Sequence, residues 1–148
     1  LAARRASDQT LSGILNEVDG VQVPPDHDSG WHTYFAYEFF IDPDRFTATR
    51  DEMVAAIVAE GVDILPSYLP KPLYEYDFLV NSKYYNARNC PVACPHYQGE
   101  MDYSKVYCPN MKAGCARGFF MGWNEKITPE IAADMGNAIK KVLTYYAK

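Results

Sequence analysis

Trp31-His32-Thr33-Tyr34-Phe35-Ala36-Tyr37-Glu38-Phe39-Phe40-Ile41, followed by Asp42-Pro43-Asp44, is the stretch on which the fold turns. Aromatic and β-branched residues at this density predict a strand over residues 31–41, and the Asp-Pro-Asp turn ends it. On the N-terminal side, Val21 to Gly30 contains Pro24-Pro25 and a run of Asp, His, Ser and Gly, which reads as an extended entry into a loop. Before that, Leu11, Ile14, Leu15 and Val18 recur at helical spacing and Asp19-Gly20 supplies a stop, so Ala2 to Val18 is predicted to be an amphipathic helix. On the C-terminal side, Thr49 stands three residues before Glu52, the capping-box pattern, and opens a helix that carries Met53, Val54, Ile57 and Val58 up to Gly61.

Val62 to Leu65 reads as a short apolar strand, after which Pro66, Pro70 and Pro72 impose a rigid, exposed loop. A short helix is expected over residues 81–89. The stretch from Cys90 to Gly118, punctuated by Pro91, Pro95 and Pro109, is expected to be largely irregular. Gly118 to Trp123 is a further strand. Thr128-Pro129-Glu130 then places an N-cap, a first-turn proline and an early acid at the head of a last helix. Ile131, Met135, Ala138, Ile139 and Val142 form its expected apolar face, and Lys140, Lys141 and Lys148 complement the negative end of its dipole. This order of elements predicts an α+β fold, a small, mostly antiparallel sheet packed against helices.

A chain of 148 residues, 48% hydrophobic and 22% charged, fits one soluble globular domain. Fourteen basic against nineteen acidic residues give a net charge of −5, which argues against nucleic acid as a partner. No apolar run reaches the roughly 18 residues of a membrane span and the N-terminus has no signal-like core, so no membrane association is expected and the cytoplasm is the expected compartment. The four cysteines, Cys90, Cys94, Cys108 and Cys115, cluster near His96. Cys90 and Cys94 have the spacing of a structural zinc pair, whereas Cys108 and Cys115 do not. Reduced cysteines are therefore expected, with no metal site, and the spacing leaves a disulfide open as a further alternative. A self-contained binding module built on a cysteine metal site is the alternative.

Taken in order, several segments resemble the C-terminal small domain of DegT/DnrJ/StrS-type sugar aminotransferases, fold-type I enzymes that use pyridoxal phosphate. They are Arg4-Arg5 and Val18-Asp19-Gly20-Val21 with Pro24-Pro25, Trp31-His32-Thr33-Tyr34, Thr49-Arg50-Asp51-Glu52, Tyr68 and Pro70, Cys90-Pro91-Val92-Ala93, and Ile127-Thr128-Pro129-Glu130. The chain departs from the family pattern at Cys94, where an acidic residue is common, and at Ser67, where histidine often precedes the loop tyrosine. The resemblance implies that residues 1–148 form a single C-terminal-type small domain of a longer chain, with residues 1–18 as an inter-domain helix. The parent enzyme would be a homodimer that moves an amino group from glutamate or glutamine to a keto sugar or cyclitol, often a nucleotide sugar. The resemblance also implies that the pyridoxal phosphate lysine lies in the large domain, and no lysine here stands in a Schiff-base context: Lys71 lies in a proline loop, Lys83, Lys105 and Lys112 in polar loops, and Lys126, Lys140, Lys141 and Lys148 near the last helix. This chain alone is expected to bind no cofactor and to contain no catalytic residue. A regulatory relative without catalysis is a further alternative.

The small domain of such an enzyme would supply one wall of the substrate cleft. The substrate-binding candidates are His32, Tyr34, Tyr68, Lys71 and Tyr74. Tyrosine and histidine hydrogen-bond sugar hydroxyls, and Lys71 would meet a phosphate or the carboxylate of the amino donor. Each also has an ordinary role: Trp31 and Tyr34 as core or sheet aromatics, His32 as a strand histidine, Lys71 as a solvated loop charge. His27 falls in a polar loop, and Asp42 with Asp44 forms a turn rather than a catalytic pair. The face that the large domain would cover is expected to be unusually apolar.

Overall fold

A computed structural model describes residues 1–25, 30–81, 97–99 and 101–148. In chain order the elements are α1 (Ala2–Leu15), β1 (Val21–Gln22), β2 (Ala36–Ile41), α2 (Arg50–Ala59), α3 (Asp77–Val80), α4 (Pro109–Arg117), β3 (Gly118–Gly122) and α5 (Pro129–Tyr146), with short 3-10 turns at Pro43–Arg45, Leu73–Glu75 and Tyr103–Lys105. The chain divides into two compact units, one of residues 1–68 with 116–148 and one of residues 69–115.

The first unit is the expected α+β layer pair. Its sheet has the order β1-β2-β3, antiparallel throughout, with Val21 opposite Ile41 and Phe39 opposite Phe119. Alternation along β2 sends Tyr37, Phe39 and Ile41 into the core and leaves Ala36, Glu38 and Phe40 on the other face. The inward residues share one core with Leu11 and Leu15 of α1, Met53 and Ile57 of α2, and Ile139 and Leu143 of α5. Phe39 and Phe119 stack at 4.8 Å and 8° at its centre. Each such side chain contributes about 1.5–3 kcal/mol on burial.

Local signals set the element ends. Thr49 Oγ1 accepts from the Glu52 amide and Glu52 Oε2 accepts from the Thr49 amide at 2.8 Å, a complete capping box for α2. Thr128 caps α5 with Pro129 in its first turn. At Gly20, φ is +82° and an added Cβ would stand 2.7 Å from Arg45 Cβ, so this turn admits only glycine.

Five expectations are corrected. The β2 strand begins at Ala36 rather than Trp31, because Tyr34 turns left-handed at φ +48° and breaks the extended run. Residues 21–22, expected to enter a loop, pair with β2 instead. Val62 to Leu65 is not a strand: Leu65 alone bridges to Phe120, since Pro66 has no amide hydrogen to donate and Ser67 turns at φ +66°. Within the stretch expected to be largely irregular, Pro109 opens α4, where its missing amide hydrogen costs nothing. On α5, Ile131 is exposed and the buried face runs through Ala132, Gly136, Ile139, Val142 and Leu143. Lys140 and Lys141 lie before the last turn and pair with Glu17 and Glu60. The helix expected at 81–89 falls, after Asn81, outside the described residues.

The carboxyls of Glu52, Glu125 and Glu130 are held below the ordinary 4.5, by the Thr49 amide and hydroxyl, by Arg4, and by the Thr128 hydroxyl respectively. Their contribution to stability is therefore complete above 4.5 and is lost as pH falls through the lower folded values. Urea midpoints should fall as pH is lowered from about 6 to about 3, and Glu125→Gln should make that decline shallower. An unchanged acid slope in the variant would show that the Arg4 pair does not contribute.

Candidate functional site

The face of the sheet turned away from the core carries a cleft. Ala36, Glu38 and Phe40 of β2 and Phe120 of β3 form its floor, Gln22 to Pro25 one side, and His32 to Phe35 with Tyr68 the rest of the described lining, around a volume of about 620 Å³. Tyr68 is exposed and lies 5.1 Å from Phe120, ring to ring, at 43°. Trp31 and Phe35, at 77% and 75% exposure, project from the adjoining arch, so this side of the unit is rich in solvent-facing aromatics.

The arch of residues 31–35 is held by the N-terminal end of α1. Arg5 Nε donates to the His32 carbonyl at 3.1 Å, and its guanidinium lies 4.6 Å from the Trp31 ring centroid. Arg4 Nη1 donates to the Tyr34 carbonyl at 3.4 Å and its Nη2 pairs with Glu125 at 2.9 Å, while Trp123 Nε1 donates to the Arg4 carbonyl at 3.1 Å. These bonds hold Tyr34 in its left-handed conformation and keep its ring buried, 6.2 Å from Tyr37 and nearly parallel to it. His32 Nε2–H donates to the Pro25 carbonyl at 3.0 Å, closing the arch onto the opposite wall.

Below the arch, α1 is joined to β2 by a partly buried polar chain. Tyr37 Oη donates to Ser12 Oγ at 2.8 Å and Ser12 Oγ donates to Asp8 Oδ1 at 3.2 Å. Burial pushes the Tyr37 phenol far up, so it stays protonated and acts as a fastening rather than as an acid.

The cleft thus brings together His32, Tyr34 and Tyr68 of the five sequence candidates. Lys71 and Tyr74 belong to the second unit, where Lys71 Nζ donates to the Glu75 carbonyl at 2.9 Å and lies 4.9 Å from the Tyr76 ring, and Tyr74 Oη donates to the Cys108 carbonyl at 3.4 Å. Glu38, Phe40 and Phe120 escaped the sequence reading. The alternation of Tyr37, Phe39 and Ile41 is the signal that placed Glu38 on the opposite face. Cys108 is exposed and Cys115 buried, while Cys90, Cys94, His96 and His27 fall outside the described residues. Among the described residues, no three His, Cys, Asp or Glu side chains converge on a metal position.

A model of the DegT/DnrJ/EryC1/StrS aminotransferase family matches residues 1–106. Among solved structures, the aminotransferase TlmJ from Streptoalloteichus hindustanus superposes with a TM-score of 0.70 at 15% identity, covering 98% of this chain and 32% of its own. A 3-amino-5-hydroxybenzoic acid synthase gives 0.65 at 16% identity, with 98% and 34% covered, and a DegT DnrJ EryC1 StrS aminotransferase from Brucella abortus gives 0.65 at 17%, with 99% and 31% covered. The chain therefore spans about a third of the length of these structures. No curated protein matches its sequence.

Arg5→Ala removes the hydrogen bond to His32 and the cation–π contact with Trp31 from an exposed position, and should cost no more than about 1 kcal/mol globally. Amide exchange at residues 32–35 should nevertheless accelerate markedly, with Arg5→Lys intermediate. Unchanged exchange in the arch would show that Arg5 does not hold it.

Proposed function

This chain belongs to the DegT/DnrJ/EryC1/StrS aminotransferase family, and from that premise we propose that it is the C-terminal small-domain part of a pyridoxal-phosphate-dependent enzyme that aminates a keto sugar or cyclitol. The observation that carries this reading is the cleft on the outer sheet face, where aromatic rings and hydrogen-bonding groups stand together in the proportion that suits a hydroxylated ring. His32 and Tyr68 bind substrate hydroxyls, and Tyr34 shapes the wall between them. Lys71 and Tyr74 are kept as substrate-binding residues of the intact enzyme, Lys71 for a phosphate or for the carboxylate of the glutamate or glutamine donor. Residues 1–18 act as the helix leading from the large domain, and the parent enzyme works as a homodimer in the cytoplasm. No helix among the described residues is long and apolar enough to cross a membrane.

Pyridoxal phosphate would supply the electron sink for moving the amino group, through a lysine that forms a Schiff base with it. The described residues of the cleft do not fit that group. No lysine lines it, and Lys71, Lys105, Lys112, Lys140 and Lys141 are each engaged elsewhere, with the Glu75 carbonyl, Asp102, Glu75, Glu17 and Glu60 respectively. No step of the reaction is therefore assigned to residues of this chain, whose proposed part is to bind and orient substrate and to exclude water from one side of it.

The protein purified from its natural source should have an intact mass well above 16.7 kDa and should be trapped covalently with its cofactor by borohydride. In that enzyme, Tyr68→Ala should raise KM for the keto substrate about tenfold while leaving kcat within about twofold, as expected for loss of uniform binding. A native product of 16.7 kDa that borohydride does not modify would contradict the proposal.

A further inference from the structure

The cleft floor holds one carboxylate in apolar surroundings. Glu38 is half-buried between Ala36 and Phe40 along β2 and stands opposite Phe120 on β3. Its Oε1 accepts from Ser67 Oγ at 3.2 Å, and its Oε2 has no hydrogen-bond partner among the described residues. The surroundings keep space beside this group. An added Cβ on Gly118 would stand 3.0 Å from Glu38 Oε1 and 3.3 Å from Ser67 Oγ, and Ser67 itself adopts φ +66°, a costly conformation for serine, while donating to the carboxylate.

No Lys or Arg is among the described residues lining the cleft. Three nearby arginines are already engaged, Arg4 with Glu125 and the Tyr34 carbonyl, Arg5 with the His32 carbonyl and Trp31, and Arg50 with Asp51 and the Gly118 carbonyl, whereas Arg117, whose buried Nε has no hydrogen-bond partner among the described residues, is not among the residues lining the cleft. A phosphate or diphosphate group is recognised by guanidinium, ammonium or converging amide donors, and here it would meet an acceptor of its own sign. A hydroxyl or an ammonium group, by contrast, donates to Glu38 Oε2 while the ring's C–H face rests on Tyr68 and Phe120.

Resting on the reading above that the cleft takes a hydroxylated ring, we infer that Glu38 determines its selectivity: the site takes a phosphate-free polyol ring, held most tightly when the ring carries an ammonium group, and disfavours nucleotide-linked sugars. Glu38 is thus a specificity residue that the sequence candidates did not include.

The test is a titration of the ¹⁵N-labelled chain with glucosamine, glucose and UDP-glucose, following the amides of Glu38, Tyr68 and Phe120. Glucosamine should bind about fivefold tighter than glucose, and UDP-glucose more weakly than either, with the glucosamine advantage shrinking as salt is raised. Glu38→Gln keeps an acceptor for Ser67 and removes the charge. It should bring glucosamine to within about twofold of glucose and strengthen UDP-glucose binding by about fivefold, with an otherwise unchanged amide spectrum. Binding of UDP-glucose to the wild-type cleft as tightly as glucosamine, or a preference that Glu38→Gln leaves in place, would overturn the inference while leaving the cleft as a sugar site. No shift at the three amides with any of the probes would overturn the reading of the cleft itself, and the inference with it.

Discussion

Gly136 lets α5 approach α1 closely enough for both helices to share one core with the sheet. A Cβ at that position would stand 3.1 Å from Ile14 Cδ1, 3.2 Å from Leu11 Cδ1 and 3.3 Å from Ile14 Cβ. Leu11 and Leu15 consequently sit fully buried with Ile139 and Leu143, each contributing about 1.5–3 kcal/mol, more than any of the polar contacts α1 makes elsewhere. With its middle fixed, α1 presents its other groups at set positions: Ser12 and Asp8 to the Tyr37 phenol, the Arg4 carbonyl to Trp123, and the Arg4 and Arg5 guanidinium groups to the arch. The large apolar term sets where the helix lies. The smaller directional terms set the shape of the cleft wall.

Those directional contacts hold a backbone that propensity alone does not favour. Tyr34 and Ser67 both adopt left-handed conformations, and both border the cleft: Tyr34 lines it, and Ser67 donates to Glu38 on its floor. Strain of about 1–3 kcal/mol at such positions persists only where neighbours over-determine the conformation. At Tyr34 those neighbours are Arg4 at the carbonyl and Tyr37 at the ring. The cleft is therefore the part of this unit in which local preference is overridden by tertiary contacts, as is common at ligand sites.

That same override explains which features were legible in the sequence. Elements with local punctuation were readable: the Thr49 and Glu52 capping box, the Thr128-Pro129 start of α5, Gly61 after α2, and the aromatic alternation of β2. The arch was not, because Trp31 to Phe35 has strand composition and is turned by distant arginines. Two-residue β1 is a strand only by virtue of its partner, and α4 carries Pro109 at a position where proline starts a helix as readily as it interrupts a loop. His32 and Tyr34 were read as part of a strand and Tyr68 as a loop residue between prolines, whereas Glu38 became visible only once the sheet had two distinguishable faces. The family match covers residues 1–106 and the structural likeness covers nearly the whole chain at 15–17% identity, so the fold outlasts most of the side chains that build it.

Hydrogen exchange in a Gly136→Val variant tests most directly whether the α1–α5 contact sets the cleft. Two added methyl groups should push the helices apart, and amides of α1 and of residues 32–35 should lose protection together, while the α2 amides beside Thr49 keep theirs. Loss of protection in α1 with the arch left at wild-type rates would contradict the account, since the cleft wall would then be held by something other than the helix.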